Sequence, residues 1–133
     1  MKILGKLAQI EILASSCNPN TVRDGRGGIF TWVPDHCIQE FNLVIIKPEK
    51  VRGNHFHPEF IEYFLVVDGQ LLLSTIDINT RKSHQMLASN GMCFRTPMGI
   101  SHSFQAITYS TCVSMLTKPW DKCDQPIIAS SVS

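Results

Sequence analysis

The stretch Arg52-Gly53-Asn54-His55-Phe56-His57-Pro58-Glu59-Phe60-Ile61-Glu62 places two imidazoles two residues apart, with a carboxylate five residues beyond the second. Side chains two apart on a strand share a face, so His55 and His57 converge while Phe56 points away. Pro58 lets the chain bend, so that Glu62 can return from the following strand. A further imidazole, His102, follows the turn-forming run Pro97-Met98-Gly99-Ile100-Ser101. Three neutral imidazoles and one carboxylate suit a divalent first-row metal and leave one or two positions for water or substrate. A His-x-His pair alone is usually an ordinary pair of hydrogen-bonded side chains. The full set makes His55, His57, Glu62 and His102 the candidate metal ligands.

Such a set needs strands to hold it, and the chain supplies them. Short runs rich in Val, Ile, Leu and Phe alternate with Gly, Pro, Asn and Asp clusters, the pattern of an all-β sandwich or barrel. Strands are expected near Ile29–Val33, Phe41–Lys47, Gly53–His57, Glu62–Val67, Gln70–Asp77, Ser83–Leu87, Met92–Arg95, Ser101–Ala106 and Thr111–Leu116. Asp68-Gly69 reads as a tight hairpin turn, Asp77 to Arg81 as a longer one, and Asn90-Gly91 as another turn. The polar, glycine-containing segment Asn18–Gly28 reads as a loop, and the Ser-rich tail beyond Trp120 as a segment with a disordered end.

A chain of 133 residues fits one domain with a real core. Its formal net charge of +1 and the lack of a basic stripe with interleaved aromatics argue against nucleic acid as a partner. Apolar runs such as Phe64-Leu65-Val66-Val67 are far shorter than the roughly 18 residues of a membrane span, so no membrane association is expected. The cysteines Cys17, Cys37, Cys93, Cys112 and Cys123 are scattered, form no CxxC pair and follow no cleavable signal. Reduced thiols and a cytoplasmic location are expected.

The spacing from His55-x-His57 through Glu62 to Gly69, and then from Gly91 through Pro97 and Gly99 to His102, resembles the two signature motifs of the cupin superfamily. Glu49 stands where those motifs carry a glycine, and Ala106 where an asparagine is common. The resemblance implies a single-domain double-stranded β-helix, a jelly-roll barrel with the site in its mouth. Its core would run over about 41–117, flanked by N-terminal strands and loop (1–40) and a C-terminal tail (118–133). Zinc is the first expectation for the ion, with iron, manganese or nickel as alternatives.

A narrower likeness lies in Arg52-Gly53-Asn54-His55-Phe56-His57 and Phe64-Leu65-Val66-Val67-Asp68-Gly69. This is similar to cupins that act on nucleotide-linked 4-keto sugars, especially the C-terminal metal-binding cupin domain of a bifunctional capsule-precursor epimerase and reductase. The resemblance implies isomerisation or epimerisation of a nucleotide sugar for polysaccharide or glycan assembly. Such chemistry needs a base, an electrophile and a grip on a diphosphate. In the relatives without metal, the histidine matching His55 or His57 is the base. A histidine that coordinates an ion cannot fill that role, which turns attention to Tyr63, Tyr109, His36 and Glu59. Arg52 is the first expectation for phosphate contact, followed by Arg95 and Lys47. Strict alternation puts Arg52 opposite His55, so it reaches the pocket only through a bulge or a subunit interface. A metal-dependent dioxygenase and a non-catalytic sugar-binding or sensor module are the alternative readings. Exposed sheet edges before Phe41 suggest a homodimer.

Overall fold

A computed structural model of the chain describes residues 1–15 and 23–132, and Cys17 and the first part of the Asn18–Gly28 loop lie outside them. The described residues form strands β1 (Ile3–Leu7), β2 (Ile10–Leu13), β3 (Arg23–Asp24), β4 (Gly27–Gly28), β5 (Glu40–Ile46), β6 (Val51–Phe56) and β7 (Glu62–Asp68). They continue with β8 (Gln70–Ile76), β9 (Ser83–Ser89), β10 (Cys93–Thr96), β11 (His102–Ala106), β12 (Ser110–Leu116) and β13 (Ile128–Ala129). One 3₁₀ turn, Trp120–Lys122, interrupts them. Two antiparallel sheets result, in the orders β1-β2-β10-β7-β12-β5 and β13-β6-β11-β8-β9, beside the small β3-β4 hairpin.

Alternation builds the interior in layers. On β7 the buried inward positions are Glu62, Phe64 and Val66, and on β11 they are His102, Phe104 and Ala106. The first layer is polar, the second is a pair of rings stacked at 4.1 Å and 15°, and the third is aliphatic. Such a stack adds about 0.5–1.5 kcal/mol beyond the area it buries. The core continues through Ile10, Ile46, Leu71, Leu73 and Phe94. The polar layer therefore sits at one end of a packed barrel, on an aromatic floor.

Several elements differ from the sequence expectation. Residues 29–34 form no strand; the Trp32 indole instead donates to the Leu13 carbonyl across 3.3 Å, pinning this segment over the outer face of the first sheet. The β1-β2 hairpin turns through Ala8 at φ 51, without the usual glycine or asparagine, which hid it from a search for turn residues. Asp68-Gly69 is a corner and not a hairpin: β7 and β8 belong to different sheets, and a Cβ on Gly69 would collide with Ser110. Asp77 to Arg81 closes the β8-β9 hairpin as expected, with the Asp77 carboxylate accepting from the Asn79 and Thr80 amides. The tail is ordered as far as Val132, because β13 pairs with β6 and the Val132 side chain is buried. No described helix is long and apolar enough to cross a membrane.

Candidate active site

Strand β6 carries the decisive irregularity. Its register against β11 runs Arg52 to Phe104, Gly53 to Ser103, then His55 to His102, so Asn54 is an extra residue. Gly53 has φ +116 and Asn54 φ 56, and a Cβ on Gly53 would lie 2.5 Å from the His102 carbonyl oxygen. Only glycine fits there. The extra residue reverses the alternation, so Arg52 and His55 end on one face and line one cleft of about 360 Å³.

His57 leaves the end of β6 as the chain turns, and its carbonyl accepts the Gly99 amide at 3.0 Å, tying the His57 and His102 loops together. The ring centroids of His55, His57 and His102 lie 4.6–5.2 Å apart, and one nitrogen from each falls within 4.8 Å of the other two. Glu62 completes the group: its Oε1 is 3.4 Å from His102 Nε2 and 3.9 Å from His57 Nε2. Its Oε2 accepts the Ser114 hydroxyl at 2.8 Å.

The tautomers follow from the partners. A carbonyl only accepts, so His57 Nδ1–H donates to the Pro126 carbonyl at 2.9 Å and His102 Nδ1–H to the Ile100 carbonyl at 3.0 Å. The His55 ring is hydrogen-bonded to the Gly53 backbone. Neutral His57 thereby turns its Nε2 lone pair inward, and that nitrogen is buried without a hydrogen-bond partner. Leaving such an atom unsatisfied costs about 1–3 kcal/mol. Lone pairs aimed at one point by carbonyls behind the rings are how metal-binding histidines are oriented. The donor set therefore fits a divalent cation.

Burial, reinforced by the neighbouring imidazoles, lowers His55 to about 4. Burial also lowers His57, against the pull of Glu62. His102 moves the other way: burial disfavours its charge, but the hydrogen bond and charge of Glu62 outweigh it. Burial would raise Glu62, yet His102, His57 and the Ser114 hydroxyl hold its carboxyl below the ordinary range. The Glu62 carboxylate thus faces the bare Nε2 of His57 and a His102 ring that it draws toward the protonated form.

Other predicted residues lie elsewhere. Tyr63 is buried on the opposite face of β7 from Glu62; its hydroxyl lies 2.7 Å from His36 Nδ1 and 3.4 Å from Arg95 Nη1. Arg95 is engaged by both Glu11 oxygens and by Asp35, so it is a clamp on the outer sheet face and contributes nothing to the cleft. Tyr109 is exposed in the β11-β12 connection. Lys47 borders a neighbouring groove with Ile45 and Val51 that shares only Arg52 with the cleft, the Arg52 Nε donating to the Ile45 carbonyl at 3.3 Å. Glu59 holds Lys118 and the Gln125 amide. None of these lines the cleft, whose walls instead include Glu40, Asn42, Ser114 and Trp120. The one sequence signal for Ser114 was its place in Ser110-x-Cys112-x-Ser114, small side chains at the inward positions of a buried strand. A larger hollow of about 720 Å³ around Trp32 on the outer face has no titratable side chain in its lining.

The model of the polysaccharide biosynthesis C-terminal domain family matches residues 22–122. The chain belongs to that family. No curated protein sequence matches this family member. Among solved structures it resembles the dTDP-6-deoxy-D-glucose-3,5-epimerase RmlC of Legionella pneumophila, in complex with dTDP-4-keto-L-rhamnose, at TM-score 0.73 and 14% identity over 96% of this chain and 75% of that one. A 3,4-ketoisomerase from Helicobacter canadensis gives TM-score 0.75 and 15% identity, covering 91% and 90%. The capsular polysaccharide assembling protein CapF of Staphylococcus aureus gives 0.65 and 22% identity over 84% of this chain and 32% of CapF. The family member spans about a third of CapF. Its fold is the RmlC-like jelly roll of the cupins, as the sequence motifs implied.

Proposed function

We propose that the cleft isomerises or epimerises a nucleotide-linked keto sugar, with a divalent cation held by His55, His57, His102 and Glu62. The observation that carries this is the inward, unpartnered Nε2 of His57, turned toward Glu62 and sharing its centre with two further imidazoles. The family match and the fold shared with sugar-nucleotide epimerases and a ketoisomerase support the substrate class. A bound cation would supply Lewis-acid polarisation of the sugar carbonyl, which acidifies the adjacent carbon. The chain's own groups do the rest. Arg52 on the cleft wall offers a planar guanidinium to the diphosphate, and the aromatic floor and Trp120 bound the space left for the sugar.

The proton acceptor is constrained by the lining. With three imidazoles and Glu62 committed to an ion, Glu40 is the remaining carboxylate on the cleft wall. Its oxygens are held by the Asn42 amide and the Trp120 backbone N–H, which lower its carboxyl. Without an ion, His55 is neutral at pH 7 and free to accept a proton. Elemental analysis of protein purified without added metal, followed by incubation with dTDP- and UDP-4-keto sugars in deuterated water, tests the proposal. Deuterium should enter carbon next to the ketone, and its absence with every sugar would overturn the reading. Oxygen consumption by an iron-loaded form would favour the dioxygenase instead.

The expected homodimer stays part of this proposal. Among the described residues strand β5 has a neighbour on one side only, and Phe41 and Leu43 point outward from it, 77% and 69% exposed. Because Glu40 and Asn42 on the other face of β5 line the cleft, pairing there would brace a cleft wall. Sedimentation of the protein and of Leu43→Glu would show whether β5 carries it.

A further inference from the structure

Residues 118–132 wrap the mouth of the barrel as a strap, most of it beyond the residues matched by the family model. Lys118 and the Gln125 amide bind the two oxygens of Glu59. Trp120 lies 6.3 Å from both the His57 and the Phe60 ring. β13 pairs with Phe56 and His55. The Ser130 amide donates to the Asn54 carbonyl, the Val132 amide to the Asn54 side chain, and the Ser130 hydroxyl meets that of Ser101 at 2.7 Å. Between these anchors, the Pro126 carbonyl receives the Nδ1–H of His57.

That contact separates His57 from its neighbour. His102 is oriented from within the barrel, by the Ile100 carbonyl two residues before it. The partner of His57 is 69 residues away in sequence. Phe60 stacks on the His57 ring at 4.4 Å and restrains its plane, but a flat ring cannot select which nitrogen holds the proton. That choice falls to the carbonyl.

We infer that the strap is a positioning element: through the Pro126 carbonyl it fixes His57 as the Nδ1–H tautomer and so keeps its Nε2 lone pair open to a cation in the cleft. This rests on the metal-site reading of the proposed function, although the tautomer itself does not. Orienting partners of this kind typically set metal affinity by about 10- to 100-fold. The strap also explains why a free lone pair persists in a buried place: the alternative tautomer would leave the Pro126 carbonyl without a donor and would offer its N–H only to Glu62 Oε1, 3.9 Å away and beyond hydrogen-bond reach.

The test uses the full chain, with the strap released on both sides of Pro126 by Glu59→Ala and Ser130→Pro. The first change removes the acceptor of the Gln125 amide, and the second removes the N–H that binds Asn54. Long-range ¹H–¹⁵N correlation spectra of histidine-labelled, metal-free protein report each ring's tautomer. In the parent, both His57 and His102 should carry a proton on Nδ1, and His57 Nε2 should be bare. In the double variant His57 should gain a substantial Nε2–H population while His102 keeps its signature, which also certifies an intact barrel. Zinc affinity should fall by about 10- to 100-fold. If His102 changes too, Glu59→Ala alone is read, with a smaller Nε2–H population expected at His57. An unchanged His57 tautomer beside an intact His102 overturns the inference in either variant. A tautomer change in protein that never binds zinc supports the strap and sinks the metal site instead.

Discussion

Arg52 and His55 share one face of β6 although three positions separate them, because Asn54 is an extra residue in the ladder with β11. Simple alternation would have sent Arg52 to the outside. The bulge places a cation and an imidazole on one wall of the cleft, and Gly53, the residue that permits it, sits against the His102 backbone.

Gly53→Ala is therefore expected to act on both. The new methyl meets backbone at 2.5 and 2.7 Å, and a positive φ is disfavoured for alanine. Strain of this sort costs about 1–3 kcal/mol. Thermal unfolding should show that loss together with weaker metal binding, whereas Arg52→Ala should weaken nucleotide-sugar binding and leave metal affinity intact. Isothermal titration with each ligand separates the two.

Removing the donor behind Glu62 should be felt at the cation. Ser114→Ala leaves Glu62 Oε2 without its hydroxyl partner and frees the carboxylate to rotate. A drop in zinc affinity of about 10- to 100-fold is expected, with little change in fold by circular dichroism.

Metal loading should raise the melting temperature and chelation should reverse it. A cation at 100 times its dissociation constant stabilises the native state by about 2.7 kcal/mol. His57→Ala should abolish that response. In the metal-free state the same variant should melt lower than the parent, since it deletes the ring stacked on Phe60 and the donor to the Pro126 carbonyl, so its response to metal is read against its own metal-free midpoint.

The outer-face clamp predicts a pH dependence of its own. The Arg95 hydrogen bonds hold Glu11 below its ordinary 4.5, so the folded state keeps this carboxylate ionised at pH values where the unfolded chain takes up a proton. The stabilisation is complete above about pH 4.5 and fades as pH falls through the folded value. Arg95→Met should flatten the stability profile below pH 4.5 in urea titrations. Tyr63→Phe, which removes the hydroxyl between His36 and Arg95, should cost about 1 kcal/mol and leave turnover unchanged; a large fall in turnover with the fold intact would return Tyr63 to the list of catalytic groups.

What could be read in the sequence was what obeys local rules. Strands β5 to β12 follow from apolar runs between turn residues, and the gathering of His55, His57, Glu62 and His102 follows from spacing and resemblance. The misplaced residues share a cause. Tyr63 and Arg95 are adjacent in sequence or space to site residues, but β7 and β10 alternate, and neighbours of inward positions face outward. Arg52 escaped the same rule only through a bulge that the Gly53-Asn54 pair permits. N-terminal strands are expected within 1–40, but the β1-β2 turn carries no turn signal because it uses Ala8-Gln9. The placement of the tail comes from distant partners, Glu59, Asn54 and Ser101, and not from any pattern within it, so its Ser-rich composition alone points to a disordered end.

The stacked pair Phe64 and Phe104 gives the cleft a blind end. A molecule can be probed there only by its tip. Whatever part of a long ligand reaches the histidines must do so head first, with the remainder left along β5 and the strap. Discrimination among ligands is then divided in space: the buried chamber judges the shape and polarity of the leading group, and the exposed walls judge the trailing one. Changes to Trp120 or Asn42 should alter which carriers are accepted without altering which leading groups react.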